Sequence, residues 1–182
     1  VSWSVVGWMP TFIKEQFNLT QGSAGLYTTM YLNISALAGM LIGGAWADRW
    51  SRTQERARII VPIIGLCLAA PAVLLIANGP LLALALAGLA GYGIGRHFVD
   101  ANTMPILCLV VDARYRATSW GIFAFFSCMV GAAGIYAGGL LRDANIDVSR
   151  VFQFAAANIV IGAFLMWSLR RYASTPNKGT EG

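Results

Sequence analysis

"LLALALAGLAGYGIGRHFVDANTMPILCLVV", residues 81–111, decides what solvent this chain is built for. The run is apolar from end to end except near its middle, where Arg96, His97 and Asp100 stand together. A bilayer core of about 30 Å needs roughly 20 residues of helix, and this run exceeds that. The whole chain agrees with the local reading. It is 57% hydrophobic and only 12% charged, with a mean hydropathy of +0.63. Soluble domains carry about 25% charged residues, so this chain has too few to cover a water-facing surface. Its solvent is lipid.

Working outward, the apolar runs predict six helices, at about Trp3–Phe17, Gly22–Ala47, Ala57–Asn78, Leu81–Val111, Tyr115–Leu141 and Ser149–Arg170. All but the first are long enough to span a bilayer. The breaks carry turn chemistry or charge: "KEQFNLTQG", "DRWSRTQERAR", "NGP", "DARYR" and "RDANIDVSR". Barrel strands are excluded, because the runs are about twice a spanning strand and are rich in Ala, Leu and Gly. Thr20 is expected to cap the helix that begins at Gly22. The first helix starts abruptly, with no basic flank and no small-residue cleavage site, so it reads as the cut end of a longer protein and not as a signal peptide. The expected fold is an all-α membrane protein of six transmembrane helices, the first of them truncated. Residues 1–172 form the bundle, and residues 173–182 form a short polar tail that ends the chain.

The net charge of +5 raises the question of nucleic acid, and the placement of the basic residues answers it. They sit between apolar runs and do not interleave with aromatics on one face. Nine of the 13 Lys and Arg residues fall on one side: Arg49, Arg52, Arg56, Arg58, Arg114, Arg116, Arg170, Arg171 and Lys178. Lys14, Arg142 and Arg150 fall on the other. The bias of Lys and Arg towards cytoplasmic loops then predicts a cytoplasmic C-terminus. Cys67, Cys108 and Cys128 have no metal-type spacing and read as small packing residues. "NLT" at Asn18 and "NIS" at Asn33 fit a glycosylation pattern, but one hugs the membrane and the other is mid-helix. No cofactor or metal site is expected.

The most specific motif follows the second long run. "GGAWADRWSR" fits G-x-x-x-D-R-x-x-R, with Gly44, Asp48, Arg49 and Arg52 at the key places. Gly44 is expected to allow close helix approach, and Asp48, one turn on, to accept from a neighbouring helix N-terminus or an Arg. This resembles the cytoplasmic loop motif of the major facilitator superfamily, with Trp46 in place of Leu, Ser51 in place of Gly and Thr53 in place of the last basic residue. "GWMPTFIKEQFNLTQGSAGL" is similar to that superfamily's connection between its seventh and eighth helices. "GAAGIYAGGLLRD" resembles its glycine pattern at Gly134, Gly138 and Gly139, with Ile135 replacing a proline; Gly134-x-x-x-Gly138 is equally an ordinary close-packing motif. "DARYRATSWGIFAF" resembles the connection before the eleventh helix, most like the organic anion:cation symporters. The resemblance implies the C-terminal six-helix half of a twelve-helix transporter.

Arg96 lies near the bilayer midplane, where a charge costs about 2.5–3.5 kcal/mol on insertion scales. Asp100, at i+4, is its expected partner. Thr103 continues that face, while His97 and Ala101 turn aside. The "GYGIG" glycines follow no strand, so they form no phosphate loop; they thin the helix for a neighbour or a substrate. A purely structural ion pair is the alternative. In transporters of this resemblance, midplane polar groups line the central cavity. That use extends to Asn102, which would bond a substrate hydroxyl or the next helix, and to Tyr27, Tyr31 and Asn33 in the second helix. Trp8, Trp120 and Phe123 are further candidates, while Trp3, Trp120 and Trp167 read as interface anchors.

The function this implies is ion-coupled transport of a small organic anion, such as a sugar acid, by alternating access. The expected partners are the N-terminal six-helix half, the lipid bilayer, a substrate, and a coupling proton or sodium, with no nucleic acid. The expected location is a bacterial inner membrane. An intramembrane enzyme with His97 as base lacks a nucleophile at useful spacing or a second His. A non-transporting scaffold or sensor would keep the loop motif yet tolerate neutral residues at Arg96 and Asp100.

Overall fold

A computed structural model describes residues 2–54, 56–144 and 148–172. The described residues form six α-helices: α1 (Ser2–Gln16), α2 (Gln21–Ser51), α3 (Ala57–Asn78), α4 (Leu82–Val110), α5 (Arg116–Asp143) and α6 (Val148–Tyr172). A single 3-10 turn at Ala113–Tyr115 precedes α5. The order and type match the sequence expectation, and five of the six helices are long and apolar enough to cross a membrane. The polar tail at 173–182 lies outside the described residues.

Two boundaries show local chemistry at work. Thr20 caps α2, its hydroxyl accepting from the Ser23 backbone N–H at 3.3 Å. Asn18, just before it, takes a left-handed φ of 51°, a conformation that Asn tolerates better than most residues. At its other end α2 runs a turn beyond the expected Ala47, so Asp48 and Arg49 are helical and not loop. Trp46 and Trp50, at i and i+4, stack there with ring centroids 6.2 Å apart.

Side-chain size is distributed as a lipid solvent requires. The buried residues of α2 are Ala24, Thr28, Leu32, Ser35, Gly39, Gly43 and Ala47. Leu26, Met30, Ile34, Leu37, Leu41 and Ile42 face outward. Without a hydrophobic drive between helices, small residues that let backbones approach supply the association. Glycine does this most sharply between α3 and α4. A Cβ on Gly95 would lie 2.4 Å from the Gly65 carbonyl oxygen, and one on Gly65 would lie 2.4 Å from the Gly95 oxygen. Gly39 meets the backbone of Ile94 in the same way, with a Cβ 2.6 Å from its oxygen.

The glycine contacts wedge α4 between α2 and α3, and α3 also packs on α6. The main core, including Met9, Phe12, Val73, Ile76, Leu89, Tyr92 and Phe152, joins α1, α3, α4 and α6. Helix α5 stands apart from this block. Of its residues only Gly131 and Gly138 are buried, and both are covered by tryptophans of α1: Trp3 on Gly131 and Trp8 on Gly138. Trp8 also donates from Nε1 to the Ile135 carbonyl at 3.3 Å. Arg142 lies over the Trp8 ring and pairs with Glu15. The structure is thus a block of α1, α2, α3, α4 and α6, with α5 fastened at its side through α1.

Candidate functional site

Arg96 is the fifteenth of the 29 residues of α4, its middle turn. Its Nη1 donates to Asp100 Oδ2 at 2.5 Å. The same Nη1 lies 3.4 Å from His97 Nε2. His97 Nδ1 is 2.7 Å from the Gly93 carbonyl oxygen, an atom that only accepts, so Nδ1 carries the proton. In the neutral ring Nε2 is then the acceptor that faces Arg96. His97 Nε2 also stands 3.8 Å from Asp100 Oδ2. Three ionisable groups therefore meet within one turn of a single helix.

The described residues do not saturate the guanidinium. Both close contacts use Nη1, and Nε is buried with no hydrogen-bond partner among the described residues. An arginine carries five N–H donors in a planar fork. The Arg96 side chain keeps 27% of its surface exposed and Asp100 36%.

That exposure opens on a cavity of about 840 Å³ between the tight block and α5. Arg96, Val99, Asp100 and Thr103 form its α4 wall, at the i, i+3, i+4, i+7 spacing of one helix face. Met40 of α2 and Trp3 of α1 close two sides. Trp120, Phe123, Phe126, Ser127 and Val130 form the facing wall on α5.

The family follows from comparison with known proteins. The sequence profile of the Major Facilitator Superfamily matches residues 1–182. The chain belongs to this superfamily. A curated relative described as an "MFS-type efflux pump", from Mycolicibacterium smegmatis, is 25% identical over 174 residues, or 91% of this chain. The chain spans 40% of that relative's length. No solved structure matches it. With the apolar helices, membership makes this an integral membrane protein.

The geometry of this superfamily member sorts the residues singled out from sequence. Arg96 and Asp100 line the cavity, as do Trp120 and Phe123. Asn102 does not: it is 2% exposed between helices and donates to the Phe98 carbonyl at 2.9 Å. His97 reaches the site through Arg96 and Asp100 and is absent from the lining. Tyr27 and Tyr31 stand on the outer surface of α2, 37% and 41% exposed. Tyr31 is nine residues from Met40, about two and a half helical turns, which places it on the opposite face. Asn33 also falls outside the lining and donates to the Thr29 carbonyl at 2.8 Å. Trp8 serves the α1–α5 contact. Cys67 and Cys128 are exposed and do not pack inside. Ser127, Phe126 and Met40 are cavity residues that sequence reading passed over. Ser127 had a signal, a lone hydroxyl in an apolar run at i+7 from Trp120.

At the basic end, Asp48 accepts from Arg58 Nη2 at 3.1 Å. An acid at the end of α2 and an arginine at the start of α3 each oppose their helix dipole; pairing offsets both. The Arg partner expected for Asp48 is present, but the role given to Gly44 is not. A Cβ there would meet only Ala101 Cβ, at 4.0 Å. Its neighbour Gly43 makes the close approach, with a Cβ 2.7 Å from the Phe98 ring. The register decides it, since Gly43 follows Gly39 by four residues and shares its buried face. A second, smaller cavity is lined by Ala45, Asp48, Arg49, Arg52 and Thr53. Helix α5 continues unbroken past Gly134, Ile135 and Gly139.

Proposed function

We propose that this chain is one six-helix half of a secondary active transporter that moves a small organic anion by ion-coupled alternating access. The observation that carries the reading is the Arg96–Asp100 pair, set at the middle of a spanning helix and open to a cavity. An apolar pair of similar volume would be no less stable at such a position, so retaining two charges there argues for use. A guanidinium with unused donors binds a carboxylate in bidentate fashion. An incoming anion competes with Asp100, and protonation or cation binding at Asp100 releases Arg96 to receive it. Anion and coupling ion thereby share one site. The relative's description as an efflux pump supports transport as the activity.

The proposal includes a partner half of six helices, which supplies the remaining cavity wall. It places the protein in a bacterial inner membrane with the Arg49–Arg58 end cytoplasmic. The basic residues of that end support this orientation. The test is transport in proteoliposomes by the full-length protein under an imposed ion gradient. Anion flux that depends on the gradient, and is lost in Arg96→Gln, supports the reading. Wild-type flux in Arg96→Gln refutes it.

A further inference from the structure

The two main walls of the cavity differ in chemistry. The α4 wall is ionic. The α5 wall is aromatic: Trp120 and Phe123 lie with centroids 5.7 Å apart, tilted by 35°, and remain 39% and 47% exposed. Phe126, 61% exposed, adds a third ring. Between them Ser127 presents a hydroxyl that bonds nothing among the described residues.

These walls discriminate between classes of organic acid. A polyhydroxy acid brings a hydroxyl on nearly every carbon, and each needs an acceptor once water is excluded. Beyond Asp100, the side-chain acceptors in the lining are two hydroxyl oxygens, of Thr103 and Ser127. Thr103 donates its proton to the Val99 carbonyl, at 2.8 Å, so it offers the cavity an acceptor but no donor. A planar apolar body has the opposite fit. It needs no acceptors and gains by stacking against tilted rings.

Resting on the reading of Arg96 as the anion site, we propose that the substrate class is carboxylates that carry an aromatic ring. The carboxylate takes Arg96, and the ring lies on Trp120 and Phe123. Ser127 sits on the same wall, where it donates to an oxygen substituent on that ring. Trp120 and Phe123 are then specificity-determining residues, and α5 carries the specificity while α4 carries the charge.

The test is equilibrium binding to the full-length protein in liposomes, with radiolabelled 4-phenylbutyrate as ligand and gluconate and 4-phenylbutanol as competitors. Gluconate is expected to compete at least tenfold more weakly than unlabelled 4-phenylbutyrate. Phe123→Ala and the milder Trp120→Leu are each expected to weaken 4-phenylbutyrate about tenfold, without changing gluconate competition. Circular dichroism and elution volume establish that each variant is folded. Absent 4-phenylbutyrate binding, equal competition by gluconate, or unaltered affinity in both folded variants overturns the aryl assignment. The anion reading fails separately, if 4-phenylbutanol competes as well as the acid and Arg96→Gln leaves binding unchanged.

Discussion

Trp8 of α1 lies so close to Gly138 of α5 that a Cβ on the glycine would sit 2.4 Å from the indole Nε1. The ring is not free to swing away, because it donates to Ile135 and carries Arg142 above it. Gly138→Ala is therefore expected to lower stability by about 1–3 kcal/mol, as overpacking does. Gly139→Ala, whose Cβ would be an ordinary 3.8 Å from the ring, is expected to lose nothing. Thermal unfolding in detergent compares the two. Equal midpoints would show that the indole is not what fastens α5.

The reciprocal contact of Gly65 and Gly95 predicts a larger loss. Here the obstacle is backbone, and relief requires α3 and α4 to separate. Gly95→Ala is expected to cost about 3 kcal/mol or more, and Gly91→Ala, at 3.3 Å from the Ala72 methyl, far less. Unfolding midpoints and the yield of folded protein measure the difference.

At the central pair, Arg96→Lys is expected to reduce flux severely, since lysine lacks the planar fork. Asp100→Asn is expected to leave anion exchange but abolish uphill accumulation. A double replacement, Arg96→Leu with Asp100→Leu, separates use from structure. Full flux in the double variant, after failure of both singles, would make the pair a structural element only.

The Asp48–Arg58 bridge predicts a kinetic phenotype. Asp48 is 66% exposed, and exposed pairs contribute about 0–1 kcal/mol to stability. Asp48→Asn should leave the melting temperature nearly unchanged while slowing turnover more than it weakens substrate affinity, because it biases one access state. Wild-type turnover in Asp48→Asn and Arg52→Ala at normal expression would remove the gating role.

The helices were legible because each is a long apolar run closed by charge or turn residues, and all six recur with ends shifted by at most four residues. The Arg96–Asp100 pair was legible because i,i+4 geometry is fixed within one helix, with no knowledge of tertiary packing. Which way a helix faces was not legible. Tyr27 and Tyr31 share a face with each other, but their sequence does not say whether that face meets lipid or cavity. Gly43 and Gly44 are adjacent, and only the line of small residues from Ser35 through Gly39 to Ala47 distinguishes them. Ser127 and Phe126 were missed because the wall they form needs α4 opposite it.

The pairing of Arg96 with a residue on its own helix has a consequence for biosynthesis. Charge compensation that bridges two helices exists only after both are in the bilayer. Here the counter-ion travels on the same turn, and the neighbouring polar side chains return their protons to carbonyls four residues back: His97 to Gly93, Asn102 to Phe98, Thr103 to Val99. Helix α4 thus reaches the insertion machinery with its opposite charges already paired. It can leave that machinery for lipid as a single unit, before α2, α3 or any later helix is in place to receive it.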